Sequence, residues 1–375
     1  MDWQQSESWA ASFEQFMSEY DELFVRSETR DKAKLYVRGL LADVERKNGW
    51  QLSESLNMAN PHPLQRLLNE AKWEADKVQA QQRQTIYRQI NELGVLEIDE
   101  SSFIKKGRKS AGVSRQYCGR IGKVENCQVG VFLTVATSTL SAFLDYRLYV
   151  PQAWCDDEAR RREAQIPDEV VFQTKPQLAQ AMLAKVWQEG VNAHYVNGDS
   201  LYGNSSELRN FIHNSDHHYV LAIGSSHKVI HDGIRQDLLS LAQAIPNSQW
   251  EKLAFTLAES GWVTYEWARC RIEMTSDEIG QQWLLIRRNS PDNYDFFVSN
   301  SPVETTLSEL VAVALIRHQI EQCFEEAKDQ LGLADYEVRT WHGWHRHMTL
   351  CFLAHTWLTF MRFHQRQKKE FFHDG

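Results

Sequence analysis

The sequence predicts an α/β protein: an all-α N-terminal region, then a mixed five-stranded sheet with helices that is interrupted by a β-rich insertion. Three observations predict this class. Apolar side chains recur every three or four positions over residues 8–92, strand-like alternation begins at Gly94, and helical periodicity returns after Pro302.

The composition limits the possible functions of this chain of 375 residues. Hydrophobic residues make up 42% and charged residues 24%, which together with thirteen Trp is typical of a folded protein. A formal charge of -9 argues against a protein that coats nucleic acid through bulk positive charge, so any DNA contact must come from local patches. The six cysteines form no C-x-x-C pair, and neither a leader-like start nor a membrane-spanning run is visible. We therefore expect a cytoplasmic protein with free thiols and no membrane partner.

The first predicted domain, residues 1–93, is helical. Asn48-Gly49 is predicted to end one helix, Trp50 to begin a short one, and Pro61-His62-Pro63 to break the chain before the next. This punctuation is compatible with a helix-turn-helix DNA reader, and equally with a bundle that only packs, because the region is slightly acidic. We assign it as a DNA-binding domain and leave the second interpretation open.

Strand patterns define the first part of a catalytic core, residues 94–224. In chain order they predict strands at 95–99, 127–137 and 141–150, an irregular stretch at 155–167, a helix at 176–189, a strand at 193–199, a helix at 206–213 and a strand at 219–224. One carboxylate lies in the first strand and another at the tip of the fourth. This order is the layout of an RNase H-like core.

A β-rich insertion, residues 225–300, is predicted to separate this part from residues 301–375, which complete the core. Strand-like segments in the insertion cover 261–274, 283–288 and 294–299. Helical periodicity then runs from 307 to 331, with Glu321 in its middle, and from 343 to 367.

Three carboxylates, Asp99, Asp199 and Glu321, lie where a two-metal phosphodiester site would use them. Hard divalent cations need carboxylate oxygens, and a pair of such ions activates a nucleophile and stabilises the leaving oxygen. Taken singly, Asp99 and Asp199 also fit a turn and a helix cap. Glu321 lies between Arg317 and Lys328 on one helix stripe, which also fits a solvated ladder of ion pairs. Spacing alone does not choose Glu321 over its neighbours Glu325 and Glu326.

Residues 103–124 form the one long cationic stretch of the sequence, with seven Lys and Arg and no Asp or Glu. Directly after a metal-binding strand, such a loop suits phosphate contacts. A solvated hairpin whose lysines discourage edge pairing is the alternative, and the acidity of the rest of the chain favours DNA contact.

Aromatic and histidine residues carry less information. Trp262, Trp267 and Trp283 in the insertion are most simply core residues, although an insertion of this kind can place one Trp against a flipped base. His342, His345 and His347 are close in sequence, but His suits zinc whereas magnesium prefers oxygen. We interpret this segment as a packing or DNA-facing helix start.

Several long blocks, in this order, resemble one family: the DDE transposases of bacterial insertion sequences with a Tyr-x2-Arg-x3-Glu-x6-Lys signature, most closely the 701 family. The blocks are residues 96–107 (LEIDESSFIKKG), 115–119 (RQYCG), 126–132 (NCQVGVF), 321–328 (EQCFEEAK), 336–339 (YEVR) and 341–347 (WHGWHRH). The resemblance implies that Asp99, Asp199 and Glu321 are the catalytic metal ligands and that Arg317 and Lys328 contact phosphate. Ala314 departs from the signature, which has an aromatic residue there.

The resemblance implies a transposase that binds terminal inverted repeats, cleaves the ends by two-metal hydrolysis and joins the 3'-hydroxyls to target DNA. It implies two Mg2+ ions per site, with Mn2+ as a substitute, and partners that are double-stranded DNA and a second copy of the chain. The expected DNA-binding residues are Lys105, Lys106, Arg108, Arg115, Arg317 and Lys328. A non-catalytic DNA-binding relative and an RNase H-like nuclease without strand transfer are the alternatives.

Overall fold

A computed structural model describes residues 3–257, 261–290 and 292–373. Its helices are α1 (Trp3–Ser18), α2 (Ser27–Leu41), α3 (Gly49–Ser55), α4 (His62–Asn69), α5 (Ala75–Tyr87), α6 (Gln152–Cys155), α7 (Glu158–Glu163), α8 (Lys175–Gln188), α9 (Ser200–Gly203), α10 (Ser206–Asn214), α11 (Leu238–Ala244), α12 (Leu307–Leu315), α13 (His318–Asp329) and α14 (Trp341–His373). Its strands are β1 (Gly94–Ile104), β2 (Ser114–Cys118), β3 (Lys123–Ala136), β4 (Ser141–Leu148), β5 (Ala193–Gly198), β6 (His218–Ile223), β7 (Lys228–His231), β8 (Ile234–Asp237), β9 (Glu251–Leu257), β10 (Gly261–Glu273), β11 (Gln281–Ser290) and β12 (Asn293–Ser299).

One large, mostly antiparallel sheet contains these strands, in the order β2-β3-β1-β5-β6-β12-β11-β10-β7-β8, with β4 also paired to β3 and β9 to β10. Its central section runs β4-β3-β1-β5-β6, and within it only β3 is reversed. The predicted mixed section of five strands is thus present, but it is not a separate sheet. Strand β12 pairs with β6 and joins the strands of the predicted insertion to it.

Helices cover both faces of the central section, because its strands are apolar on both sides. Side chains alternate along β1, so Asp99 faces α13 while Glu100 faces α8, where it binds Lys175 at 2.8 Å. On the α13 face, the ring centroids of Phe132 in β3 and Phe324 in α13 are 5.1 Å apart. This packing holds α13 against the strand that carries Asp99.

The N-terminal helices pack on the rest of the molecule. Helices α2, α4 and α5 contact α14, and a single hydrophobic cluster runs from these helices into the sheet. A bidentate ion pair, with distances of 2.6 and 2.7 Å, joins the guanidinium of Arg83 in α5 to the carboxylate of Glu189 after α8. The domain boundaries at residues 93, 224 and 300 remain predictions.

Three local predictions from the sequence were wrong. Asn48 does not end a helix: its side chain accepts hydrogen bonds from the amides of Trp50 and Gln51 and so caps α3. The stretch at 155–167 is not irregular, since it contains the end of α6 and all of α7, and Asp157 caps α7. The helix predicted over 307–331 is broken between α12 and α13.

A tertiary contact accounts for this break. The buried Asn197 amide at the end of β5 donates to the carbonyls of Val313 and Ala314. A continuous helix would use these carbonyls as acceptors for the amides of Arg317 and His318. Competition for the two carbonyls therefore favours a new helix start at Arg317.

Two observations concern the described chain as a whole. None of its helices is both long enough and apolar enough to cross a membrane. All six cysteines are free thiols, as the sequence predicted, and four of them are buried.

Candidate active site

Asp99 and Asp199 lie side by side on neighbouring parallel strands. Ile98 pairs with Gly198 across β1 and β5, so the next residue on each strand is an aspartate at the same level of the sheet. Adjacent strands are about 4.8 Å apart, which brings the two carboxylates close to each other. Asp99 accepts a hydrogen bond from the amide of Glu100 at 2.7 Å, and Asp199 caps α9 by accepting from the amide of Leu201 at 2.9 Å.

Both aspartates bind protons more readily than free aspartate does. Burial raises the pKa of Asp99 to about 7; the Arg317 guanidinium opposes the shift and the Asp199 carboxylate adds to it. Burial also raises the pKa of Asp199, with Glu100 adding to the effect and Arg317 opposing it. A cation placed beside two carboxylates in such surroundings stabilises their ionised forms.

Glu321 lies on α13, which covers the face of the sheet that carries Asp99. Its side chain does not form a three-carboxylate group with Asp99 and Asp199. It is 57% exposed, and its oxygens are 3.9 Å from Arg317 Nη2 and 3.8 Å from His318 Nδ1. No three His, Cys, Asp or Glu side chains in residues 3–257, 261–290 and 292–373 form a group placed to hold a metal ion. The expected convergence of three carboxylates is therefore incomplete in this conformation, and a ligand role for Glu321 stays a prediction.

The two competitors of Glu321 on α13 differ from each other in their surroundings. Glu326 forms an ion pair with Arg362 of α14 at 2.6 Å and lies 3.7 Å from the neutral imidazole of His355. Glu325 is exposed. Glu321 acts electrostatically on the site, through the buried Glu97.

Glu97 is a carboxylate of the site to which the sequence analysis gave no role. It lies two residues before Asp99 on the same face of β1 and is 1% exposed. Thr134 Oγ1 donates to its Oε2 at 3.3 Å, whereas Oε1 is buried without a hydrogen-bond partner in the described chain. Burial raises its pKa well above the ordinary value, and Asp99 and Glu321 add to that shift. An acidic residue within the apolar run 95–98, in phase with Asp99, was the available signal.

Cations also surround the aspartates. Arg317 directly precedes α13, and its guanidinium acts on Glu97, Asp99 and Asp199. The Lys328 ammonium is partly buried and lies 5.2 Å from the centroid of the Phe324 ring, one helical turn earlier in α13. Burial lowers the pKa of Lys328, and its charge interacts with Asp99. Both residues are therefore placed to meet an anion at the aspartates.

The predicted DNA-binding residues of the cationic stretch differ in their surroundings. Lys106, Arg108 and Arg115 are exposed and have no ion pair with any described residue. The Lys105 ammonium instead packs 3.4 Å from the ring centroid of Tyr336 and donates to the Tyr336 carbonyl at 3.2 Å. Burial lowers the pKa of Lys105 to about 7. Its charge is directed at the protein, which spacing in the sequence could not show.

The aromatic and histidine residues mostly pack, as expected. Trp267 is fully buried, and Trp283 is stacked between two arginines, Arg269 and Arg271. The side chain of Trp262 lies outside the described residues. His347 in α14 is buried and hydrogen-bonded to the hydroxyl of Tyr36 at 2.9 Å.

The donor chemistry of the site fits a divalent metal ion. Asp99, Asp199 and Glu321 offer only carboxylate oxygens, which Mg2+ and Mn2+ prefer over nitrogen or sulfur. The raised pKa values of the two aspartates and the unpartnered oxygen of Glu97 are both features that a bound cation would relieve.

The sequence places this protein in a known family. Residues 19–267 match the family model described as DDE superfamily endonuclease, a range that includes Asp99 and Asp199 and ends before Glu321. Because this match covers more than half of the chain, the protein belongs to the DDE superfamily of endonucleases, whose members generally use divalent metals.

Particular relatives agree with this class. The chain is 25% identical over 327 residues to the probable transposase for insertion sequence element IS701 of Microchaete diplosiphon, covering 85% of this chain and 80% of that one. The resemblance to DDE transposases of the 701 family is thereby confirmed. Among solved structures, the piggyBac transposase synaptic complex with hairpin DNA is similar with a TM-score of 0.47 and 8% identity, over 90% of this chain and 66% of that one. The NurA nuclease of Sulfolobus solfataricus has a TM-score of 0.30 and 9% identity, over 64% of this chain and 80% of that one.

Proposed function

We propose that the protein is a cut-and-paste transposase that binds the terminal inverted repeats of an insertion sequence, cleaves the DNA ends and joins their 3'-hydroxyls to target DNA. One observation carries the proposal: Asp99 and Asp199 are level on adjacent strands, beneath a helix that presents Arg317, Glu321 and Lys328. Membership of the endonuclease superfamily supports the cleavage step, and the similarity to a probable transposase supports transposition. In this proposal β4-β3-β1-β5-β6 and the helices on them form an RNase H-like core.

Asp99, Asp199 and Glu321 would hold two Mg2+ ions, or Mn2+ in their place. When bound, such ions supply an activated nucleophile and stabilise the leaving oxygen of an in-line displacement. In this proposal the exposed Glu321 side chain turns toward the aspartates by a change of rotamer. Release of the Arg317 and His318 contacts costs little, because ion pairs of this length at the surface are weak.

The cationic side chains bind and orient the DNA. Arg317 and Lys328 contact the phosphate next to the aspartates, where they also offset the charge that develops on it. Lys106, Arg108 and Arg115 contact phosphates further along the strand, each adding a salt-dependent increment to affinity. Lys105 anchors the cationic stretch on Tyr336 and so positions its neighbours.

The proposed partners are double-stranded DNA and a second copy of the chain. Two transposon ends must be cut and joined together, which requires two active sites in one complex. The helical region 1–93 is proposed to bind the terminal repeats, while its packing on α14 transmits that binding to the core.

Isosteric replacement of the carboxylates tests the assignment. Asp99→Asn, Asp199→Asn and Glu321→Gln are each expected to reduce strand cleavage by at least about a hundredfold, because each removes a charged metal ligand. Cleavage is measured as nicking of a plasmid that carries the element's ends, in Mg2+, and end binding by gel shift should persist. The matched control is Glu325→Gln, an exposed glutamate on the same helix, which should cut like the wild type. Normal nicking by any of the three variants would refute the site.

The incomplete gathering of Glu321 is the one observation that favours a non-catalytic DNA-binding relative. A gel shift by the wild-type protein without cleavage in any divalent ion would establish that alternative. A nuclease without strand transfer would cut the plasmid but fail to join precut ends to a target.

A further inference from the structure

Exposed apolar side chains cluster around the hairpin of β2 and β3. Tyr117, Ile121 and Val124 are 60%, 39% and 53% exposed, and Ile104 at the end of β1 is 45% exposed. We call Tyr117, Ile121 and Val124 the hairpin patch; Ile104 pairs with Cys127, three positions from Val124, and so lies on the opposite face of the sheet. Contiguous exposed apolar surface of this kind marks a binding site more often than a single exposed side chain does.

The hairpin patch is on the same face of the sheet as the aspartates. Tyr117 pairs with Val124, and Asp99 pairs with Phe132 further along β3. Paired residues share a face and alternate residues of a strand return to it, so Val124 and Phe132, eight positions apart, are on one face. Tyr117 therefore extends from the surface that carries Asp99.

The hairpin is held in place without a ligand. Cys118, Cys127 and Val129 form a small buried cluster beneath it. The Asn126 amide donates to the carbonyls of Lys105 and Gly107, which ties the hairpin to the cationic stretch. A surface fixed in this way loses little conformational entropy when it binds a partner.

The charges beside the hairpin patch indicate an anionic partner. Arg115, Arg120 and Lys123 are exposed and form no ion pair within the described chain. The hairpin has one acidic residue, Glu125, whose carboxylate accepts from the adjacent amide of Asn126 at 2.8 Å. Arg120 is close enough to α13 for its charge to lower the pKa of Lys328. A second copy of a chain with a net charge of -9 is a poorer electrostatic match than nucleic acid.

We propose that the hairpin patch binds an unpaired stretch of the DNA strand at the cleavage site, with Tyr117 stacked on a nucleobase and Arg115, Arg120 and Lys123 on its phosphates. This inference rests on the proposed function. Intact duplex presents phosphates and sugars outward, so exposed apolar side chains gain contact only where base faces become accessible. Phosphate contact alone would account for the cations but not for the apolar residues among them.

Binding of two labelled DNAs tests the inference, using fluorescence anisotropy without divalent ions so that no cleavage occurs. The probes are a blunt duplex and the same duplex with a single-stranded extension. Tyr117→Ala should weaken binding to the extended DNA about 5- to 150-fold, the range for loss of one base–aromatic stack, and leave blunt-duplex affinity unchanged. Tyr117→Phe should bind like the wild type, since it keeps the ring. Ile234→Ala, at a site 65% exposed on β8, is the control for loss of an exposed apolar side chain.

A second readout locates the base. Extension DNA carrying 5-iodouracil should photo-crosslink to Tyr117, and a crosslink mapped only elsewhere would overturn the proposal. Equal affinities of wild type and Tyr117→Ala for the extended DNA would also overturn it. So would a Tyr117→Ala variant that binds both DNAs normally but no longer self-associates in sedimentation. If the wild type binds neither DNA, the proposed function itself fails; if it binds both and Tyr117→Ala makes no difference, only this inference fails.

Discussion

At the scale of single residues, Asp99 shows how the fold prepares a carboxylate for a cation. Burial and Asp199 favour its protonated form, while Arg317 favours the ionised form, and the pKa settles at about 7. Between pH 3.8 and about 7 the folded chain keeps the proton of Asp99 whereas the unfolded chain has lost it. The contribution of Asp99 to stability is therefore fully present below pH 3.8 and is lost as the pH rises through about 7. Glu97 adds a further buried acid beside it.

Metal binding should reverse this loss. A divalent ion must displace the proton of Asp99, so Mn2+ should raise the melting temperature more at about pH 8 than at about pH 6. The measurement is a thermal melt with and without Mn2+ at each pH. In Asp99→Asn, which has no carboxylate there, both the Mn2+ effect and its pH dependence should shrink. Equal stabilisation of the wild type at both pH values would contradict a metal role for Asp99.

At the scale of elements, the start of α13 decides where Arg317 and Glu321 lie. The apolar and charged periodicity of residues 307–331 is uninterrupted, so it predicts one helix. The amide of Asn197, more than a hundred positions earlier, takes the carbonyls of Val313 and Ala314 and places the break just before Arg317. Strand β5, which is followed directly by Asp199, thus also positions α13, the helix that carries Glu321.

Asn197→Ala should therefore affect both stability and catalysis. It leaves two buried carbonyls without their side-chain donor, which should lower the free energy of unfolding by about 1–3 kcal/mol. It should also reduce cleavage, because α12 and α13 are no longer held at this angle. Urea unfolding and plasmid nicking measure the two effects. Asn192→Ala, at an exposed asparagine before the same strand, removes only a solvent-exposed hydrogen bond to the Glu92 carbonyl and should change stability by no more than about 0.5 kcal/mol. Indistinguishable urea midpoints for the two variants would contradict the role of Asn197.

At the scale of the whole molecule, α14 joins the N-terminal helices to the sheet. It contacts α2, α4 and α5 on one side and β4 on the other, and Phe143 of β4 stacks on Phe352 at 4.6 Å. Two of its histidines, His347 and His355, are buried. Burial lowers the pKa of each from 6.5 to about 3, so both stay neutral in the folded state.

In mild acid these two histidines should therefore act against folding, opposite in sign to Asp99. The unfolded chain binds protons on these histidines below about pH 6.5 and the folded chain does not, so stability is lost as the pH falls from 6.5 toward 3. The expected loss is about 1.4 kcal/mol per pH unit for each histidine. Urea unfolding at several pH values measures the net slope, to which Asp99 contributes with the opposite sign, and His347→Gln should remove about 1.4 kcal/mol per pH unit of the acid-side loss. An unchanged slope in that variant would show that other groups cause the acid sensitivity.

The sequence by itself determined the local features: a strand through Asp99, a strand leading to Asp199, a helix through Glu321, and a cationic stretch at residues 103–124. Side-chain alternation and helical spacing are local properties, so they can be read without the fold. Only the tertiary structure decided that Asp99 and Asp199 are level, that α13 begins at Arg317, that Lys105 faces Tyr336 and that Glu97 is buried in the site. Each of these depends on strand register or on contacts between distant residues, and the free energy of such contacts is absent from any local pattern.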